Sequence, residues 1–252
     1  MRQIFLQMSS TLHRYAPGTP LTRLRMEFLL SSLSGLVIVI FCASLFDTPT
    51  GVVVACGLYA LGVACTALAV QRQYPHAEFG LCNLITMTRL SLTLSLVPLL
   101  FLARPVAPSD LWTAFAIAAI ALSLDGVDGW TARRSGLVSR FGARFDMEVD
   151  SVFALVLALV AYASSQAGLW IVLLGLPRYA FFAAARVWPR LAAPVPDTVF
   201  RKAVCVFQIG TLIAFLVPVL PTAVLTFSAA LAAAALAWSF LADIRVLLSR
   251  PA

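Results

Sequence analysis

Charge is what this sequence has least of: 12% of its 252 residues are Asp, Glu, Lys or Arg, while 61% are hydrophobic. No polar stretch is long enough to build a soluble domain, so a single apolar bundle is the economical architecture. The two histidines, His13 and His76, stand alone and far apart, which excludes an imidazole metal centre. Five cysteines (Cys42, Cys56, Cys65, Cys82, Cys205) are odd in number, lack a Cys-x2-Cys pair and fall in or beside apolar runs. They read as small packing residues, not as metal ligands or a disulfide framework. The net charge is +7, yet the cations flank apolar runs instead of forming a tract interleaved with aromatics. That pattern argues against nucleic acid as a partner and for membrane topology and anionic headgroups.

What is abundant is the apolar run of bilayer length. Such runs recur at about 28–46, 51–70, 84–103, 111–131, 147–164, 168–188, 203–219 and 222–243, which predicts an all-α polytopic membrane bundle of about eight helices. Arg72, the cluster Arg133, Arg134, Arg140 and Arg144, then Arg186, Arg190, Arg201, Lys202, Arg245 and Arg250 share a side with the basic N-terminus, whereas the opposite loops hold only Arg104. Both termini are therefore expected to be cytoplasmic. Residues 1–27 read either as a short interfacial helix or as a cytoplasmic tail, and no cleavable leader is expected. The far-side loops 47–50, 164–168 and 218–222 are short enough to make successive helices antiparallel neighbours. A longer connection at 189–202, with Pro189, Pro194 and Pro196, is expected to run along the surface. One lysine against seventeen arginines, with many alanines, suggests a GC-rich genome and so a bacterial inner membrane.

Against this background the stretch 124–150 stands out, because it gathers five of the eleven acids. Asp125 and Asp128, then Asp146 and Asp150, are spaced three and four apart, so a helix on either side of the basic linker presents two carboxylates on one face. Gly129 and Ala132 share the face of Asp125 and Asp128 and leave room for a bulky ligand. A turn at Ser135 and Gly136 would bring all four acids together on the cytoplasmic side. Four neighbouring carboxylates need compensating cations, and oxygen donors suit one or two Mg²⁺ or Mn²⁺ ions. Paired metals about 4 Å apart recur in phosphoryl chemistry, where they clamp attacking and leaving oxygens. Arg133, one residue off this face, has the fork geometry to hold a phosphate.

Asp125, Asp128, Gly129, Ala132, Arg133, Gly142, Asp146 and Asp150 fit, without gap or substitution, the pattern D-x2-D-G-x2-A-R-x8-G-x3-D-x3-D. In this the chain resembles the CDP-alcohol phosphatidyltransferase family, and Asn83, Thr86 and Arg89 resemble the family's Asn-x2-Thr-x2-Arg opening. The resemblance covers about 80–245. It implies a six-helix core at 80–252, with the tail and two extra helices of 1–79 as an N-terminal addition. It further implies metal-dependent transfer of a phosphatidyl group from CDP-diacylglycerol, or a related CDP-linked donor, to an alcohol, with release of CMP. By position, Asp125, Asp128, Asp146 and Asp150 would ligate metal, and Asp150 would also take the acceptor's proton. Asn83, Thr86, Gly129, Ala132, Arg133 and Gly142 would serve the CDP donor. A homodimer is expected, as is common for such enzymes.

The acceptor is open: glycerol 3-phosphate or another polyol phosphate would use Arg178, Arg201 and Lys202, while serine, choline, inositol or phosphatidylglycerol remain alternatives. Arg178 follows Pro177 near the middle of the sixth run, where an arginine is expected to face a polar cavity. Glu148, off the acidic face, reads as solvated. A cation transporter would spread its acids over several spans near mid-bilayer, and a silent scaffold would not need an intact signature; these are the competing readings.

Overall fold

The computed structural model describes residues 20–135, 137–188 and 199–248, with the side chains of 20–22, 128, 130, 132, 199 and 246–248 outside the description. Of the interfacial helix or tail expected over residues 1–27, residues 20–27 are helical and continuous with the first span, while 1–19 and most of the connection expected at 189–202 lie outside the described residues. Eight α-helices follow in chain order: α1 (Pro20–Ser44), α2 (Pro49–Gln73), α3 (Gly80–Leu94), α4 (Pro108–Ser135), α5 (Arg140–Ala163), α6 (Pro177–Val187), α7 (Val199–Ala214) and α8 (Thr222–Leu248). Short 3-10 helices, Val97–Phe101 and Leu169–Leu174, extend α3 and precede α6. No strand occurs among the described residues.

Local chemistry explains where these helices begin. Pro20, Pro49, Pro108 and Pro177 are the first residues of α1, α2, α4 and α6, where a missing amide hydrogen costs nothing and φ is already helical. Thr48 and Ser139 cap α2 and α5, the Ser139 hydroxyl accepting from the Gly142 amide at 3.0 Å. Pro177 also corrects the sixth expected span. Instead of a kinked continuous helix, the chain makes a 3-10 turn, breaks at 175–176 and restarts, so Arg178 lies in the first turn of α6.

Every expected span has a helical counterpart. Among the described residues, five stretches are long and apolar enough to cross a membrane: Arg23–Ser44, Pro49–Gln73, Gly80–Phe101, Pro108–Val127 and Thr222–Arg245. The helices at the fifth, sixth and seventh places do not meet that description, because α5 opens with two charged turns and α6 and α7 have 11 and 16 residues. The fold is an all-α membrane bundle. Its outer surface is apolar: Met26, Leu30, Leu33, Val37 and Phe41, at helical spacing on α1, are exposed.

The stretch Gly80–Phe101 is the axis of the molecule. Its apolar window is 72% buried, against 17–33% for the other four. α3 packs on α4, α1, α5 and α2, placing it between the two acid-bearing helices and the N-terminal pair. Between membrane helices close packing, not water exclusion, supplies cohesion, so small residues mark the contacts. A Cβ on Gly35 would lie 2.0 Å from the Tyr59 hydroxyl and 2.6 Å from Ser91 Oγ, and one on Gly175 would lie 2.6 Å from Leu155 Cα. Along α3 the buried Thr86 and Ser91 return their hydroxyl protons to carbonyls one turn back, which lets a polar helix occupy the centre.

Candidate active site

Arg89, 2% exposed in the middle of α3, is the largest fully buried side chain among the described residues. Such a charge is held only where partners and hydrogen bonds offset its desolvation. The partners come from the two neighbouring helices: one terminal nitrogen lies 2.6 Å from Asp125 on α4 and contacts Asp150 on α5, and the other lies 2.5 Å from Asp146. The acids are more open, with side chains 39–45% exposed. The cluster therefore has a buried cationic floor and carboxylates reachable from outside.

Helical periodicity puts these acids together. Asp146 and Asp150 are one turn apart on α5, which starts at Arg140, so both lie well inside the helix and not at its beginning. Oxygens of Asp125, Asp146 and Asp150 lie within 4.8 Å of one another, close enough to share one metal ion. The donor set fits a hard divalent cation, since all three donors are carboxylate oxygens. The charge fits as well. The three carboxylates outnumber the Arg89 guanidinium that they share. Asp128 and Ala132 sit on helical backbone in α4, and their side chains lie outside the described residues.

The residues expected to serve the donor lie on the same three helices as Arg89 and the acids. Asn83 is buried and donates its amide to the Phe79 carbonyl at 2.6 Å and the Tyr74 hydroxyl at 3.1 Å. A Cβ on Gly142 would meet Ser139 Oγ at 3.3 Å and Asn83 Oδ1 at 3.5 Å, so glycine keeps the first turn of α5 close to Asn83. The Arg133 guanidinium folds back over Gly129, 3.4 Å from the position a Cβ there would take, and is exposed. Thr86, buried one turn from Asn83, donates to the Cys82 carbonyl at 3.1 Å. Tyr74 closes this end, its phenol donating to the Glu78 carbonyl at 2.7 Å; burial pushes that phenol up to about 12.

Two of the basic residues assigned to an acceptor have acid partners outside the cluster. Arg178 pairs with Glu148, which is thus an ion-pair partner and not simply solvated. Arg201 on α7 lies 3.4 Å from Asp243 on α8, and Lys202 is exposed beside it. Arg89 received no role from the sequence beyond its place in the Asn-x2-Thr-x2-Arg pattern. One signal pointed to it: a lone arginine in an apolar run, with no acid on its own helix, must find acids on others.

The sequence model described as CDP-alcohol phosphatidyltransferase matches residues 79–241, from the entry of α3 into α8 and through every residue of this cluster. No curated protein and no solved structure gives a match. With nearly two-thirds of its length matched, the chain belongs to the CDP-alcohol phosphatidyltransferase family, whose reaction carries a phosphatidyl group from a CDP-alcohol to an acceptor.

Proposed function

We propose that this protein is a divalent-metal-dependent phosphatidyltransferase that uses CDP-diacylglycerol, or a closely similar CDP-linked lipid, and releases CMP. The observation that carries the proposal is the convergence of Asp125, Asp146 and Asp150 on Arg89, with carboxylate oxygens of all three close enough to share one ion. Asp125, Asp128, Asp146 and Asp150 would hold Mg²⁺ or Mn²⁺. When bound, the metal supplies positive charge at the diphosphate and stabilises the leaving phosphate.

The chain's own residues account for the rest. Asn83, Thr86, Gly129, Ala132, Arg133 and Gly142 are proposed to receive the CDP moiety, with Arg133 as an exposed guanidinium for a phosphate and Gly129 and Gly142 keeping side chains out of its way. Arg89 holds the acids in register from below. Asp150 takes the proton of the acceptor hydroxyl; the freed oxygen forms a bond to the donor's phosphatidyl phosphorus, and the bond from that phosphorus to the bridging oxygen breaks, leaving CMP with the electron pair.

For the acceptor we propose a phosphorylated polyol such as glycerol 3-phosphate, received by Arg178, Arg201 and Lys202. Arg178 is 31% exposed and its partner Glu148 is 52% exposed, so an incoming phosphate competes with a solvated carboxylate rather than a buried one. Residues 80–252 form the catalytic core of this reading, with 1–79 as the addition. The setting we propose is the cytoplasmic side of a bacterial inner membrane, in a homodimer. The test is CMP release from CDP-diacylglycerol across a panel of alcohols. Release selective for phosphorylated polyols, with an acceptor KM raised in Arg178→Gln, supports the assignment; release with serine, choline or inositol instead would replace it.

A further inference from the structure

The first residues of the family match, Phe79 and Gly80, are held by a residue that lies outside it. Helix α3 has no capping oxygen of its own, because the residue at its N-cap is Phe79. Glu27 on α1 supplies one: its Oε2 accepts from the Phe79 amide at 2.8 Å and the Gly80 amide at 3.3 Å. The carboxylate is itself fixed, since Arg23 donates Nε to Glu27 Oε1 at 2.9 Å and reaches Glu78 Oε1 at 2.5 Å. Phe28 adds an edge-to-face contact on the Phe79 ring, centroids 5.3 Å apart. A negative charge here also meets the positive end of the helix dipole.

This cap connects directly to the donor side of the site. The Phe79 carbonyl accepts from the Asn83 amide, and Tyr74, whose hydroxyl also accepts from Asn83, bonds the Glu78 carbonyl in the same turn. Gly80 has φ +75°, and a Cβ there would lie 2.3 Å from Leu137 in the linker between the two acid-bearing helices. The turn that Glu27 grips is therefore the one that aims Asn83 and seats that linker. We propose that Glu27 is a positioning residue for donor binding, and that the N-terminal helices serve the site through it instead of being a passive addition. The inference rests on the assignment of Asn83 to the donor.

The test compares Glu27→Ala, Glu27→Gln and Tyr74→Phe with wild type, measuring KM for CDP-diacylglycerol, kcat, and hydrogen exchange at the start of α3. In Glu27→Ala the donor KM should rise about tenfold with kcat changed less than about twofold, because a charge-assisted pair of hydrogen bonds is lost without touching the reacting atoms. Exchange at Phe79–Asn83 should speed up. Glu27→Gln keeps a carbonyl acceptor and should restore most of the KM. Tyr74→Phe keeps the ring packing and should reproduce the KM rise if Glu27→Ala fails to fold. An unchanged donor KM in both Glu27→Ala and Tyr74→Phe, with wild-type turnover intact, overturns the inference. No turnover by wild type counts against the proposed function, and exchange at α3 unaltered in Glu27→Ala then overturns the inference separately.

Discussion

Replacing Arg89 by methionine keeps an apolar stem of similar reach and removes the one guanidinium that the three carboxylates share. Two unit charges 4.8 Å apart, at the effective dielectric of about 20 found near protein surfaces, repel by roughly 3 kcal/mol. Three such pairs would be intolerable if the acids stayed as they are, but side chains 39–45% exposed can take up water, protons or cations. The net cost should therefore approach that of breaking a buried ion pair, about 3–5 kcal/mol. For a chain of this length that is a fall of roughly 6–20 °C in melting temperature. Mg²⁺ should return part of it, since a ligand at 100 times its Kd stabilises by about 2.7 kcal/mol. The cation should help Arg89→Met more than wild type, because the variant's cluster has lost a positive charge. The assay is thermal unfolding in detergent, followed by tryptophan fluorescence, with and without Mg²⁺. A variant melting within 2 °C of wild type (~0.5–1 kcal/mol), with the same Mg²⁺ shift, would refute the reasoning.

Tyr74 supplies a prediction in pH: its folded-state value of about 12 lies above the ordinary 10, so the neutral phenol favours the folded protein. That contribution is complete below pH 10 and lost as the pH rises through about 12; a phenolate absorbance titration should show a step near pH 12 disappear in Tyr74→Phe. Gly175→Ala would push a methyl to 2.6 Å from Leu155 Cα on α5, so it should cost about 1–3 kcal/mol in denaturant unfolding while leaving Mg²⁺ affinity unchanged. Arg178→Gln removes a partly exposed ion pair with Glu148 and should change stability by no more than about 1 kcal/mol, so any large rise in acceptor KM reports on binding and not on folding.

The positions of the helices were legible because bilayer length is a strong signal and the runs carry it. Boundaries failed where charge enters a helix. Arg23 and Glu27 place the start of α1 earlier than hydropathy does, and the acids and arginines of 140–150 hide the first two turns of α5. The break before α6 depended on how far one proline disrupts a span, which local sequence does not determine. In the site, all four acids could be brought together on paper, because each helix pairs two of them by spacing and a short linker turns the chain back; the described side chains show three of them meeting. Arg89 could not, since its hydrogen-bonded acids are 57 and 61 residues away and only tertiary packing selects them. The Glu27 cap was hidden for the same reason, its amide partner lying 52 residues along the chain. Periodicity orders neighbours on one element; contacts between elements follow from packing, which no single stretch encodes.

The carboxylates gathered on Arg89 are proposed to form a metal-dependent site for CMP release. The most direct test is the rate of CMP release from CDP-diacylglycerol by purified wild type and Asp150→Asn, each titrated with Mg²⁺ and Mn²⁺ and supplied with a full acceptor panel. Wild type should release CMP in a way that vanishes on chelation and returns with either ion, and Asp150→Asn should lose at least about a hundredfold, the scale of a missing proton acceptor. Release that persists in chelator, or in folded Asp150→Asn at the wild-type rate, would contradict the proposed site.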